Sequence, residues 1–576
     1  HGKVDKFGGF TITHPEFDKI GDDSDHESKV IPLYSLTQEL KTAGIDQRIL
    51  RNMIKEVIGS GLHVPEILPN HILKQYGLIS LPIALKDIHF SDGTSDLENA
   101  RNRLKFDEHF FLQLLMALRK QNFNASVTNP LIDIGPYFRL ILDGLKFDLT
   151  NAQKTVIQEI QTDLKKEFPM NRLLQGDVGC GKTIVSILVT VIGVGNNVQV
   201  AIMAPTEILA TQHYYSFKKE LDKVKIPCAL LVGNMKKSDR EPLLGGIASG
   251  NISVAIGTHA LIQNDIAFKS LGLVIIDEQH RFGVNQRAAL VDKGENPHFL
   301  AMTATPIPRT LSITYHGDMD LSVIDEMPAN RIPVKTKVVE PTRLSKVYHF
   351  IEKEVKAGRQ CMIIYPLVEE SEKSDLAAAV EAYKDLNKNI FDKLEVGLVH
   401  GKMRSNEKES IINKFIENQI SVLVSTTVIE VGFDIPNATV MVIEHAERFG
   451  LTQLRQLRGR VGRGSDRSYC ILVKRNITDS SRTHLAIMEK TNDGFVIADE
   501  DLKLRGPGEF FGIKQSGFYQ YKIANMVTDG DIIRKARKVA FNLVHEDPGL
   551  HKKEHSLIRE IFVKNYSAQL DGTSIS

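Results

Sequence analysis

Cysteine is scarce in this sequence, net charge is almost nil, and long apolar runs are missing. The four cysteines among 576 residues are Cys180, Cys228, Cys361 and Cys470. None forms a CxxC pair, which argues against a zinc site, and four scattered thiols make no disulfide framework. A reducing cytoplasm fits this usage. The 72 lysines and arginines nearly cancel 71 acidic residues, leaving a formal charge of +1. A polyanionic partner must then be met by a local patch, and six arginines against one aspartate between Arg448 and Arg467 make one. The longest apolar run, Ile184 to Gly195, contains Ser and Thr and is too short to span a bilayer. It reads as a buried helix, and no membrane partner is expected. No secretory leader opens the chain. The first residue is His1, which suits a fragment or a processed form.

What is present is the composition of a soluble globular protein, with 42% hydrophobic and 25% charged residues. At one domain per ~150 residues, the length allows three or four domains. Residues 1–33 read as strand and loop followed by a polar acidic linker. Residues 34–145 read as mostly helical. From about residue 147 short apolar strands alternate with helical segments: "RLLQ", "VQVAIMAP", "CALLVG", "SVAIGT", "LGLVIIDE" and "FLAMTAT". After a linker at Pro328 to Pro333 the pattern resumes with "QCMIIYPLV", "VGLVHG", "SVLVST", "TVMVIEHA" and "YCILVK". Continuous apolar strands between helices argue for parallel sheets covered on both faces, here as a duplicated α/β unit. The boundaries fall at 146–328 and 329–475, and a helical region occupies 476–576.

The first block carries "GDVGCGKT", Gly176 to Thr183, between a strand and an apolar helix. Glycines such as Gly176, Gly179 and Gly181 let backbone N–H groups wrap phosphates at a helix N-terminus. Lys182 is suited to the β- and γ-phosphates, and Thr183 to Mg²⁺. "LVIIDEQH" delivers Asp277 and Glu278 at the end of a buried strand, where ligand sites of α/β folds form. Asp277 suits a Mg²⁺ partner and Glu278 the base that orients an attacking water. Alone the two carboxylates would only cap a helix; paired with the phosphate loop they read as a site. In "FDLTNAQ", Phe147 and Gln153 are candidates for stacking on and reading an adenine, while Thr150 can cap a helix. In "QLRGRVGRG", Arg460 and Arg463 stand three apart, as fingers offered to a phosphate from one helical face. Cys180, beside the helix N-terminus, is expected to be oxidant-sensitive. Loops at strand ends carry Pro205, Thr206, Thr258, His259, Thr303, Thr305, Thr426 and Thr427. Hydroxyls and backbone N–H groups suit phosphate contacts without base readout, although each threonine alone is as well explained as a helix cap. A small-molecule kinase or a passive DNA-binding module are the readings from other classes.

Taken together, "LLQGDVGCGKT", "APTEILATQH", "DEQHRFGVNQR", "MTATPIPRTL", "TTVIEVGFDIPNATVMVIEHAERFGLTQLRQLRGRVGRG" and "NDGFVIADEDLKLRGPGEFFGIKQSG" resemble the RecG family of superfamily 2 helicases over residues 1 to about 530. The resemblance implies two tandem RecA-like motor domains, preceded by an OB-fold wedge and helices and followed by a helical-hairpin segment, termed TRG, that passes motor movement to DNA. It implies ATP-driven translocation on double-stranded DNA, with regression of stalled forks and branch migration of Holliday junctions in the bacterial nucleoid. It carries catalytic or nucleotide roles onto Lys182, Asp277, Glu278, Gln456, Arg460, Arg463, Gly432 and Asp434, and coupling roles onto His280, Thr303, Thr305, Arg505 and Gln515. Single-strand-binding protein and a monomeric state are implied the same way. Transcription-repair coupling translocases share the motor, usually with DEEH in place of "DEQH". "GKVDKFGGFTITHPEF" resembles only the end of a wedge, so poor fork handling is expected. His484 and Lys514 stand where the family usually has arginine.

Overall fold

The computed structural model describes residues 3–5, 11–13, 32–61, 63–91, 93–233, 235–279, 282–305, 317–329, 331–366, 372–426, 435, 437–462, 464, 466–475, 479–505 and 521–566. The chain divides into two compact units, residues 1–117 with 519–576, and residues 118–518. No helix among the described residues is long and apolar enough to cross a membrane.

The larger unit contains two wholly parallel sheets. The first has seven strands: β3 (Asn171–Gly176), β4 (Gln199–Met203), β5 (Cys228–Leu231), β6 (Val254–Gly257), β7 (Leu271–Ile276), β8 (His298–Thr303) and β9 (Asp320–Ile324), in the order β5-β6-β4-β7-β8-β3-β9. The second has six: β10 (Lys335–Val339), β11 (Gln360–Ile364), β12 (Val396–Val399), β13 (Val422–Ser425), β14 (Ala438–Ile443) and β15 (Tyr469–Val473), in the order β12-β13-β11-β14-β15-β10. Laid side by side, β3 corresponds to β10, β4 to β11 and so on through β8 and β15. Among the described residues only β9 lacks a counterpart. The expected duplicated α/β unit is therefore present strand for strand.

The duplication reaches single residues. The central strands β4 and β11 both begin with a register break, after Gln199 and after Gln360. Both glutamines are buried. Gln199 donates to the carbonyls of Ile247 and Ile252, and Gln360 to those of Phe415 and Ile420, so each staples the end of a later helix, Lys237–Ser249 or Ser405–Ile416, to its sheet. A buried amide satisfied at these carbonyls fixes which loop lies under the strand. Two residues past β7, Glu278 takes a left-handed backbone (φ 49°); two residues past β14, His445 does the same (φ 50°).

The central strands β4, β7, β11 and β14 are almost wholly apolar because helices cover both faces. Helix Lys182–Gly195 is buried on every side from Ile184 to Gly193, as the run of Ile, Val and Leu predicts. One core gathers Val185, Leu188, Ile192, Ile202, Ile256 and Leu273 around it.

In the smaller unit, β1 (Lys3–Asp5) pairs antiparallel with β2 (Thr11–Thr13). Helices follow at Gln38–Thr42, Gln47–Gly59, Asn70–Tyr76 and Leu81–His89, and the long helix Thr94–Asn124 enters this unit as far as residue 117. Arg103 on that helix is fully buried, and its guanidinium binds Glu66, Asp107 and the Ile79 carbonyl. The chain from Tyr521 returns to the same helix. Glu108 accepts the N–H groups of Lys522 and Ala524, Lys105 binds Asp529 at 2.7 Å, and buried His109 touches Tyr521 and Asp529.

Candidate active site

The phosphate loop turns out of β3 at the C-terminal edge of the first sheet. Gly179 (φ 80°) and Gly181 (φ 91°) both need the left-handed backbone that glycine adopts without penalty. A Cβ at Gly179 would run into the Arg331 guanidinium, one at Gly181 into the Gln153 amide, and one at Gly176 into the Cys180 sulfur. The cradle is thus a space that any side chain would fill, at the N-terminus of helix Lys182–Gly195. Lys182 folds back, its Nζ donating to the carbonyls of Gly176 (2.8 Å) and Asp177 (3.0 Å). Thr183 lies half-buried in the first turn of that helix.

Asp277 stands just past β7, hydrogen-bonded to the buried His213 ring at 2.8 Å. Burial opposes its charge. The His213 bond and charge, the Lys182 ammonium and the Glu278 N–H outweigh that, holding the carboxyl below its usual range. Glu278 sits in a strained conformation for a residue with a Cβ. Its Oε2 accepts the Ala304 N–H at 3.3 Å. The Asp277 carboxylate and the Thr183 hydroxyl are oxygen donors of the kind a hard divalent cation takes.

The second sheet and the linker meet this loop from the other side. Arg331 donates to the Val178 carbonyl. Arg455 forms a 2.6 Å ion pair with Asp177 and donates to the Ala304 carbonyl at 3.0 Å. A Cβ on Gly459 would press on Val178. A 120 Å³ cavity lies among Asp177, Val178, Arg331, Arg455, Arg458 and Asn492.

Several expectations change. Thr150 caps helix Asn151–Leu164 in a reciprocal box with Gln153, whose amide nitrogen holds the Cys180 carbonyl at 2.8 Å. Both ends of that amide are used within the protein, so here it braces the phosphate loop rather than facing a base. Phe147 is exposed. Cys180 is buried against Gly176, and burial pushes its thiol up, so it is not the oxidant-sensitive group expected. The arginine run is not one surface patch: Arg455 and Arg458 are 3% and 4% exposed, whereas Arg448 and Arg467 are on the surface. The helix bearing Gln456 ends at Arg458, capped by Gly459, so half-buried Arg460 lies beyond it rather than on a helical face. Thr206 caps helix Glu207–Leu221. The side chains of Thr258, Thr303 and Thr426 are buried, and the Thr303 hydroxyl bonds Thr305. Their hydroxyls do not meet solvent. Pro205 is half-buried and His259 exposed. His280, Thr427, Gly432, Asp434, Arg463 and Gln515, with the side chain of Arg505, lie outside the described residues.

Sequence reasoning missed His213, Arg331 and Arg455. His213 left a signal, because it replaces an apolar residue in the buried stripe Leu209, Phe217 and Leu221 of one helix. Nothing local marks the other two; their partners are more than a hundred residues away.

Residues 150–313 match the DEAD/DEAH box helicase family and 342–465 the helicase conserved C-terminal domain. Residues 1–60 match the RecG wedge domain, and 491–576 the C-terminal part of domain 3 of ATP-dependent DNA helicase RecG. The chain is 45% identical to ATP-dependent DNA helicase RecG of Synechocystis sp. over 99% of its length and 68% of the relative's. It is 45% identical to that of Thermotoga maritima over 90% of its length and 66% of the relative's. A structure described as RecG bound to a three-way DNA junction superposes with a TM-score of 0.68 at 42% identity, over 87% of this chain and 66% of that one. The chain thus spans about two thirds of the length of these relatives.

Proposed function

Because this chain belongs to the RecG family of ATP-dependent DNA helicases, we propose that it hydrolyses ATP between its two parallel sheets and uses that cleft to move on branched double-stranded DNA. The observation that carries the reading is the phosphate loop of the first sheet facing buried Arg455 from the second. A site that needs both sheets is one whose chemistry depends on their approach.

Gly176, Gly179, Gly181 and the helix N-terminus bind the phosphates through backbone N–H groups, and Lys182 exchanges its two carbonyl partners for phosphate oxygens. Thr183 and Asp277 would hold Mg²⁺, which supplies charge neutralisation on the phosphates. His213 fixes the Asp277 carboxylate, and the Ala304 N–H orients the Glu278 carboxylate toward a water. Gln456, Arg460 and Arg463 face the leaving phosphate in the closed cleft, with Phe147 on the adenine side, Gln153 bracing the phosphate loop, and Gly432 and Asp434 linking the cleft to the nucleotide. The strand-end loops with Pro205, Thr206, Thr258, His259, His280, Thr303, Thr305, Thr426 and Thr427 line the DNA track through backbone groups. Arg505 and Gln515 relay the movement. The proposal extends to fork regression and Holliday junction migration by a monomer in the bacterial nucleoid, with single-strand-binding protein as a partner. Residues 146–328 and 329–475 form the two motor domains.

The test is ATP turnover with forked, duplex and single-stranded DNA. Branched DNA is expected to stimulate most, and Lys182→Ala to abolish turnover. Stimulation by a small metabolite alone would favour a kinase, and DNA binding that ignores both ATP and Lys182→Ala would leave a passive binding module.

A further inference from the structure

Helix Leu451–Arg458 presents Thr452, Arg455 and Arg458 at three-residue intervals, a spacing that aligns them along one side of a helix. Thr452 donates to Asp501 at 2.8 Å. Arg458 donates to the carbonyls of Met488 (3.1 Å) and Thr491 (2.9 Å), closing the end of helix Asp479–Lys490. Both contacts bolt the helical pair Asp479–Lys490 and Gly494–Arg505 onto this helix. Between them, Arg455 points the other way along the network. Its Nη1 binds Asp177 Oδ1, the same oxygen that accepts the Val178 N–H inside the phosphate loop at 2.7 Å. Its Nη2 holds the carbonyl of Ala304, the residue whose N–H bonds Glu278. One guanidinium therefore touches the phosphate loop and, through one residue, the base. It is 3% exposed, so the pair is little screened by water.

Gly494 opens the second hairpin helix directly on this pair. A Cβ built there would stand 2.8 Å from Arg455 Nη1 and well inside contact distance of Asp177 Oδ2. Its backbone is not in the left-handed region, so alanine at 494 strains nothing except the ion pair.

We propose that Arg455 is a positioning residue for ATP hydrolysis, aligning the phosphate loop with Glu278, and that Gly494 makes this alignment depend on where the helical pair sits. The inference rests on the nucleotide-site reading above. It assigns a physical route by which the segment after the second sheet governs turnover: displacement of helix Gly494–Arg505 breaks or restores the Asp177–Arg455 pair.

The experiment is steady-state ATP hydrolysis by the full chain with saturating forked DNA. Gly494→Ala and Arg455→Gln are each expected to lower kcat by about tenfold or more, with KM for ATP changing less than about threefold, because alignment rather than affinity is lost. Arg455→Lys recovers part of the loss, keeping charge without the fork. Asp177→Asn combined with Arg455→Gln is no worse than the more damaging single variant, since both remove one interaction. Val496→Ala, on the exposed side of the same hairpin helix, is expected to leave turnover unchanged. Turnover within about twofold of the parent for both Gly494→Ala and Arg455→Gln overturns the proposal. So does an equal loss in Val496→Ala, or a loss that merely follows a lowered thermal unfolding temperature. Lys182→Ala separates the two readings. If it stays active, the nucleotide site itself is wrong; if it is dead while Gly494→Ala is normal, only the positioning role fails.

Discussion

Glu278 shows at the scale of one residue how the site is set. A glutamate held at φ 49° costs backbone energy, and the surrounding bonds from Asp277 and Ala304 hold it there. His213 acts on its neighbour in the same manner, by fixing one carboxylate oxygen. A His213→Ala variant is expected to need about 10–100-fold more Mg²⁺ for half-maximal turnover, as loss of an outer partner does at metal sites. Unchanged Mg²⁺ dependence would show that Asp277 needs no such support. Arg103 is the structural counterpart, buried with two carboxylates. Burial raises Asp107 to about 6 against the opposing charge of Arg103. Arg103→Met strands these acids, and hydrogen exchange of residues 94–117 is expected to report a protection loss of about 3–5 kcal/mol. A loss below about 1 kcal/mol would mean the cluster relaxes or takes up water.

Elements were the most legible level. Apolar strands spaced by helices gave both parallel sheets, and the loop between β3 and a buried helix was recognisable from eight residues, "GDVGCGKT". Reading failed where a side chain's partner is distant in sequence. Arg455 looked like part of a basic surface because six arginines stand close together, yet its counter-ion is Asp177, 278 residues away. The helix carrying it stops at Arg458, where Gly459 comes so close to Val178 that a Cβ would collide, a contact no local pattern encodes. The threonines at strand ends had two local explanations, and capping or burial won for Thr206, Thr258 and Thr303. Strand β8 also carries a pH signature. His298 is fully buried, accepts the Met170 N–H, and is pushed down to about 4 by burial from an ordinary 6.5. Above pH 6.5 the ring is neutral folded or unfolded. As pH falls below 6.5 the unfolded chain gains a proton that the folded chain refuses until about 4, so stability drops across that window, by at most about 3 kcal/mol. Urea midpoints followed by circular dichroism should fall between pH 6.5 and 5 in the parent, and fall less in His298→Asn. Equal slopes would contradict this assignment.

At the scale of the whole molecule, two copies of one α/β plan differ at the place where the first carries the proposed nucleotide site. The first sheet keeps Asp277 and Glu278 after β7; the second has Glu444 and His445 at the same place after β14, with Glu444 buried against Arg475. Where the first copy carries the proposed catalytic pair, the second holds an ion pair, and it supplies Arg455 to the loop of the first. Such an arrangement predicts an ATPase whose rate depends on what holds the sheets together, and family membership identifies branched DNA as the candidate. The decisive measurement is the ATP turnover of the chain on forked, linear duplex and single-stranded DNA of equal length, beside Lys182→Ala. The account predicts strongest stimulation by the fork and none in the variant. Turnover that is indifferent to DNA, or that survives Lys182→Ala, would contradict it.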